Sequence, residues 1–324
     1  MIPDDASGVL PVPDASGVVP VPAAFPAPTR RPAGRVFFLG DPLDRLDRPW
    51  DTSLRLMEAQ RRRGTPVAWA TVDDMMIRGR TLILHGAEVG PADLVWLRLD
   101  PSVSVAWYEA LRALCHVDAR IVNAPGTVLT VHDKRSALSL CPRPTWSLFS
   151  PAQVGPVAGE MRRMGVETIV LKPPSLFASK GVKFIAADDR AGLEAGFADL
   201  VGLFGYVIAE PYLGPGAGLP PVDLRVLVTA TRVIGAIERV IPVGGGLHDV
   251  TKAGAFTAPQ ARLVTAAMEF LRDEGIFLAG LDFLGDTLTE INVSCPGAIP
   301  EINMFCGIMA EDAVLDDLAA ALPG

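Results

Sequence analysis

The sequence predicts a mixed protein of the α+β / α/β class. A small parallel α/β unit comes first, and sheets and hairpins follow that enclose an active site between subdomains. Three observations carry this. Apolar strand, amphipathic helix and apolar strand alternate between residues 35 and 70, the rhythm of a parallel unit. GLDFLGDTLTEINVSCPG at 280–297 sets two short apolar runs on either side of Gly285-Asp286, which is hairpin chemistry. The residues able to do chemistry stand at strand ends and in loops, where a rigid scaffold presents them.

Residues 1–33 carry a nine-residue repeat, DASGVLPVP at 5–13 and DASGVVPVP at 14–22, and their Pro/Ala-rich composition predicts an extended, mobile tail. Arg35–Leu39 reads as a short buried strand stopped by Gly40-Asp41-Pro42. Thr52–Arg63 reads as a helix closing at Gly64, because Leu54, Leu56, Met57 and Ala59 recur among charged neighbours. Val67–Ala70 and Leu94–Leu97 are further strands, Trp107–Cys115 a helix, and Ile121-Val122-Asn123 a strand leading into Pro125-Gly126. In the next portion Asp133–Leu140 reads as a helix broken by Pro142 and Pro144. Glu167–Lys172 reads as a strand pairing with Lys183–Ala186, Asp188–Gly205 as a helix and Tyr206–Glu210 as a strand. The last portion reads as strands Leu224–Ala230 and Val233–Ile241, a Gly-rich loop 244–254, helix Pro259–Glu274, the hairpin, and helix Asp312–Ala321. The expected division is a tail (1–33), an N-terminal α/β substrate subdomain (34–122), a central subdomain (123–207) and a C-terminal catalytic subdomain (208–324).

A chain of 324 residues can bury a sizeable core, and with aromatics at only 6% aliphatic side chains must fill it. The formal charge of −8 argues against nucleic acid or an anionic membrane as partner. Cys115, Cys141, Cys295 and Cys306 show neither CxxC pairing nor zinc spacing, so reduced thiols in a cytoplasmic protein are expected. No apolar run is long enough to span a bilayer, and the amino terminus lacks the basic and apolar regions of a secretory signal.

On a strand, residues two apart share a face, so Glu290 and Asn292 project together and a hairpin can bring Asp282 opposite them. Three oxygen donors on a rigid hairpin suit Mg²⁺, which prefers oxygen and keeps places for water and phosphate. A plain surface hairpin is the bland alternative. The apolar flanks and a mid-strand asparagine argue against it. Lys172, at the end of an apolar strand, can neutralise phosphate oxygens as a compact charge. Lys134 in HDKRSAL and Glu210 in IAEPYLG, each taken alone, are more readily structural than functional. Cys295, next to the hairpin, reads as a small buried thiol.

Taken in order (lysine, strand-end lysine, strand-end glutamate, Asp/Arg strand, acidic hairpin) these residues resemble the ATP-grasp ligases, and among them the bacterial glutathione synthetase family. The resemblance runs from about residue 35 to the end. GDPLDRLDRPWDTSLRLMEAQRRRG (40–64) and DLVWLRLDP (93–101) look like the opening substrate-facing elements. IVNAPGTVLTVHDKRSAL (121–138) and TIVLKPP (168–174) look like the ATP-lysine segments, and GLDFLGDTLTEINVSCPGAIPEIN (280–303) is the most specific stretch.

The resemblance implies an ATP-grasp fold with a pre-ATP-grasp N-terminal subdomain. It implies that Lys134 and Lys172 hold nucleotide phosphates, with Lys180 adding to them. Glu210, Tyr212 and Leu213 would contact adenine, Asp223 would lie near the ribose and Arg225 near substrate. Arg239 would sit by the γ-phosphate or acyl phosphate. Asp282, Glu290 and Asn292 would bind Mg²⁺, with Mn²⁺ as the alternative ion. The departures are specific. The phosphate lid reads SLFASKG (175–181), with one glycine. In GGGLHDVTKAGAF (244–256), His248, Asp249 and Lys252 stand where the family has Arg, Asn and small residues, which makes Lys252 a catalytic candidate. Pro300 stands where an arginine helps hold the dipeptide substrate.

The resemblance thus implies an ATP-dependent carboxylate–amine ligase working through an acyl phosphate, with small-molecule carboxylate and amine substrates. Glutathione synthetase itself and a specialised ligase are both open, the second being preferred because of Pro300, as is a non-catalytic nucleotide-binding protein of the same fold. Homo-oligomerisation is also open. A glycine-rich-loop kinase is set aside, since there is no GxxxxGK[ST], HRD or DFG.

Overall fold

The computed structural model describes residues 34–102, 104–176, 180–214, 222–241 and 249–321. The expected N-terminal tail, His248 and residues 177–179 of the SLFASKG segment lie outside the described residues.

The first unit contains β1 (Val36–Gly40), α1 (Thr52–Arg62), β2 (Val67–Ala70), a small antiparallel sheet of β3 (Met75–Arg78), β4 (Thr81–Leu84) and β5 (Ala87–Glu88), then β6 (Leu94–Arg98), α2 (Val105–Leu114) and β7 (Ile121–Val122). Its main sheet has the order β2-β1-β6-β7, and every pairing in it is parallel, as the alternation predicts. α1 begins where Asp51 accepts a hydrogen bond from the Leu54 amide at 2.8 Å, and it stops at Gly64, whose φ of 75° a side chain would resist. The strands are apolar on both faces because both are covered. Phe37, Leu39, Val95 and Leu97 pack toward α2 with Leu111 and Leu114, while Val36, Phe38 and Trp96 pack toward α1.

The central unit contains α3 (Pro125–Val131), a 3-10 helix over Lys134–Ser139, β8 (Trp146–Leu148), α4 (Val154–Arg163), β9 (Thr168–Lys172), β10 (Lys183–Ala186), α5 (Arg190–Phe204) and β11 (Val207–Pro211). Its sheet has the order β10-β9-β11-β8 and is antiparallel. The third unit contains β12 (Val222–Thr229), β13 (Val233–Val240), β14 (Asp249–Ala253), α6 (Ala258–Asp273), β15 (Leu278–Leu284), β16 (Thr287–Asn292), α7 (Ile299–Cys306) and α8 (Ala310–Ala321), with the sheet order β14-β13-β12-β15-β16.

The two faces of this third sheet do different work. Val226, Val228, Ala279, Leu281 and Phe283 point to α6 and its Val264, Met268 and Leu271. Leu227, Ile237 and Leu278 point the other way, into a core shared with Val36, Phe38 and Trp96 of the first sheet and with Ile299, Ile302, Val314 and Leu318 of α7 and α8. Burying a side chain of this kind is worth roughly 1.5–3 kcal/mol, so the shared core clamps the first unit onto the third. The residues of alternate register on this second face, toward the strand ends, are polar, and they form the wall of a cavity.

Several expectations change. The helix expected over Asp133–Leu140 is a 3-10 helix over Lys134–Ser139, with Asp133 and Leu140 as its caps. Residues 249–253 of the expected Gly-rich loop are β14, laddered onto β13. The division at 207/208 runs through β11, which belongs to the central sheet. α3, α4 and α7 were not foreseen because each carries a proline in its first turns or interior (Pro125, Pro156, Pro300), where Pro is tolerated at a helix start but reads as a break.

Candidate active site

A cavity of about 390 Å³ lies where the three sheets converge. Eleven of the predicted residues line it: Lys134, Lys172, Glu210, Tyr212, Leu213, Asp223, Arg225, Arg239, Asp282, Glu290 and Asn292. Lys180 and Lys252 do not.

The hairpin delivers what its pattern promised. Asp282 pairs in register with Glu290 and Gly280 with Asn292, so the three donors share one face, and Gly285 (φ 56°) makes the turn. Gly280 has a packing reason: a Cβ there would lie 3.2 Å from an Arg225 Nη. Arg225 stands opposite Asp282 on β12, and Asp223 opposite Arg239 on β13. Their side chains interlock. Arg225 holds Asp282 through both Nε and the Nη that reaches Oδ2 at 2.6 Å. Arg239 donates from Nε to Asp223 Oδ1 and from an Nη to Asp282 Oδ1, both at 2.9 Å. These are bidentate, buried contacts that fix both guanidinium planes.

The lysines arrive from the central unit. Lys134, 7% exposed, donates to Glu290 Oε1 at 3.1 Å and also to the Leu176 carbonyl. Lys172, at the end of β9, is ion-paired with Glu210 of β11. Glu210 also accepts from Arg143 and from Thr145, each at 3.0 Å. Burial alone would raise the Glu210 carboxyl; the charges of Lys172 and Arg143 override it and hold the group below the ordinary carboxylate range. Burial pushes the Lys172 ammonium down, with Glu210 opposing. Val170, Val182, Phe184 and Leu284 give the adjoining wall an apolar face, and Phe184 meets Tyr212 edge to face at 5.4 Å.

Do the hairpin donors fit a divalent ion? The Asn292 Oδ1 is buried and has no hydrogen-bond partner among the described residues, in a side chain only 7% exposed. Such an orphan is rare in native interiors and points to an absent partner. Two carboxylates and an amide oxygen on one face are a hard-cation donor set. Among the described residues no three His, Cys, Asp or Glu side chains are placed to hold a metal ion by themselves, so a site here needs the amide. The residues fit.

Lys252 falls outside for a reason of register. It pairs with Glu238, while Val250 pairs with Arg239, so Val250 faces the cavity and Lys252 faces away. Its ammonium is 3.2 Å from Glu238, with the side chain 65% exposed.

Residues that the sequence reading missed also line or brace the cavity. Arg98, at the end of β6, is 4% exposed and among the described residues donates to neutral oxygens, Ser53 Oγ and the Pro296 carbonyl, both at 2.9 Å. An arginine interrupting the apolar run LVWLRL was the available signal. Arg143, between Pro142 and Pro144, joins Glu210 to the carbonyls of Leu288 and Thr289 and so ties the central sheet to the hairpin. Glu301, in the first turn of α7, also lines the cavity. Cys295 lies there too, and burial pushes its thiol well up, which makes it a poor nucleophile.

Comparison with known proteins agrees with this geometry. Residues 35–92 match the model of the prokaryotic glutathione synthetase N-terminal domain, and residues 158–307 that of the prokaryotic glutathione synthetase ATP-grasp domain. A glutathione synthetase of Agrobacterium fabrum is 30% identical over 256 residues, covering 74% of this chain and 77% of its own. One from Gloeobacter violaceus is 27% identical over 323 residues, covering 87% and 95%. Among solved structures, D-cycloserine synthetase DcsG superposes with a TM-score of 0.65 at 15% identity, covering 88% of this chain and 99% of that one. The D-alanine-D-alanine ligase of Coxiella burnetii gives 0.61 at 12% identity, covering 89% and 94%. ATP and a divalent ion go with this fold family. The chain belongs to the prokaryotic glutathione synthetase family, and it is an ATP-dependent C–N ligase with the ATP-grasp fold.

Proposed function

We propose that this ligase activates a substrate carboxylate as an acyl phosphate in the cavity between its sheets and passes the acyl group to an amine. The observation that carries the reading is the orphaned Asn292 Oδ1 beside Asp282 and Glu290, on the wall that Lys134 and Lys172 face. Asp282, Glu290 and Asn292 would hold Mg²⁺ (or Mn²⁺), and the ion would neutralise charge on the transferring phosphoryl group. Lys134 and Lys172 supply compact positive charge for phosphate oxygens, Lys134 by releasing Glu290 and Lys172 while Glu210 still holds it. Arg225 and Arg239, locked in plane by Asp282 and Asp223, present fixed donors where negative charge builds up. Phosphoryl transfer needs such positioning and neutralisation more than covalent help. Tyr212 and Leu213, with Val170, Val182 and Phe184, form the apolar slot suited to a planar base. Glu210 is engaged by Lys172 and Arg143, so its contribution is to hold Lys172 rather than to meet adenine directly. Lys252 takes no part in this arrangement.

The substrate is better read as another amino-acid or peptide carboxylate than as γ-glutamylcysteine. Pro300 is buried in the first turn of α7, where the family's arginine would serve as a carboxylate clamp. Arg98 is the replacement the cavity offers. Its buried guanidinium has no carboxylate within ion-pair distance among the described residues; Asp100 feels its charge from farther off on the same wall, which leaves its direct ion-pair position open to a ligand carboxylate. ADP release with a panel of carboxylate and amine pairs tests the assignment. Turnover with some pair other than γ-glutamylcysteine and glycine is expected, with Arg98→Lys raising the KM of the carboxylate. Robust turnover with γ-glutamylcysteine and glycine would make it a glutathione synthetase. ATP binding with no stimulation by any pair would favour a non-catalytic role.

A further inference from the structure

We infer that Glu301 receives the acceptor amine in this cavity and takes from its ammonium form the proton that frees the nitrogen lone pair for attack. This rests on the ligase reading above and deepens it. Glu301 stands in the first turn of α7, on the cavity wall. Its Oε2 is buried and, among the described residues, has no hydrogen-bond partner. The charged groups acting on it are Arg225 of β12, Arg239 of β13 and Asp47 of the segment before α1. A carboxylate oxygen shut away from water without a donor is expensive, so a donor is the missing partner.

The chemistry of the reactants says which one. The nucleotide phosphates and the carboxylate or acyl phosphate present acceptors at their reacting ends. The amine alone brings N–H donors to the reacting centre. Arg225 and Arg239 are the two guanidinium groups assigned to the phosphoryl group, and they are also the two whose charges reach Glu301. The amine held by Glu301 is therefore held beside the acyl carbon.

The step balances simply. The nitrogen lone pair forms the C–N bond, the bond from the acyl carbon to the phosphate oxygen breaks, and its electron pair leaves with the phosphate. An amine that arrives as an ammonium has by then given a first proton to Glu301 Oε2, which freed that lone pair; the second proton leaves nitrogen with the departing phosphate, and Glu301 returns its own to solvent after the product departs. Burial lifts the Glu301 carboxyl above the ordinary range, against its own backbone amide and the charges of Arg225 and Arg239, and a raised carboxyl holds a proton better, as a base must.

Hydroxylamine separates this role from carboxylate activation, because it is already neutral at pH 7 and traps an acyl phosphate without needing a base. In Glu301→Gln, hydroxamate formation should stay within about threefold of wild type while amide formation with a protonated amine falls roughly 10²- to 10⁴-fold, the usual range for general-base loss. The acid limb of the kcat/KM profile for the amine should vanish in Glu301→Gln and be displaced in Glu301→Asp. Undiminished amide synthesis by Glu301→Gln, or equal loss of hydroxamate and amide, would overturn the inference. If Glu301→Gln does not fold, an unmoved acid limb in Glu301→Asp overturns it instead. No hydroxamate from wild type would bring down the ligase reading itself, and the inference with it.

Discussion

Replacing Asn292 by leucine should make the metal-free protein more stable and the enzyme inactive. The side chain is 7% exposed and its Oδ1 is buried without a partner among the described residues. An unsatisfied buried polar atom costs about 1–3 kcal/mol, and an apolar group of similar shape escapes that penalty. Leucine has nearly the outline of asparagine, and the open side of the cavity spares it the strain of overpacking. The gain, read at roughly 2–4 °C per kcal/mol for a protein of this order of size, is a rise of several degrees in Tm without metal or nucleotide. Thermal unfolding in chelator, then in Mg²⁺ with ADP, provides the assay. Wild type should be stabilised by the second condition and the variant hardly at all, because binding to the native state alone raises apparent stability. If Asn292→Leu unfolds at a lower temperature than wild type in chelator, or keeps metal-dependent turnover, the reading of Oδ1 as a metal ligand is wrong.

Lys172→Ala should weaken ATP binding roughly 10- to 100-fold, the worth of one charged hydrogen bond, with the fold retained because Glu210 keeps Arg143 and Thr145. Calorimetric titration checks it, and an unchanged Kd would remove Lys172 from the phosphate site. Glu210→Gln should lower stability most near neutral pH. The folded-state carboxyl lies below its unfolded value, so its contribution is complete above the ordinary carboxylate pKa and fades as pH falls through that value toward the folded one. Urea unfolding at neutral and acidic pH should therefore show the gap to wild type narrowing on the acid side. Lys252→Ala should change turnover little and stability by no more than about 1 kcal/mol, as an exposed pair does.

How much of this was legible in the sequence depends on how local the signal is. The hairpin was readable because period-two alternation, a Gly-Asp turn and strand pairing are all short-range rules, and together they put Asp282 opposite Glu290. The parallel unit was readable for the same reason: β1, α1 and β2 each carry their own pattern. β14 was not, since glycines just before it dominate the composition, while its strand character comes from the β13 ladder. That ladder also turns Lys252 outward, which no spacing in HDVTKAG foretells. Arg143 sits in a Pro-rich turn, yet it contacts a carbonyl 145 residues later, and its role exists only once the sheets meet. Arg98 and Glu301 are likewise ordinary charges in sequence. Their interest comes from burial at the end of β6 and at the start of α7, which only the shared core between the first and third units creates.

The account stands or falls on a carboxyl oxygen being transferred to phosphate. With ¹⁸O in both carboxylate oxygens of whichever acid supports turnover, the released phosphate should carry one ¹⁸O per amide formed. Unlabelled phosphate alongside amide production would contradict an acyl-phosphate intermediate outright.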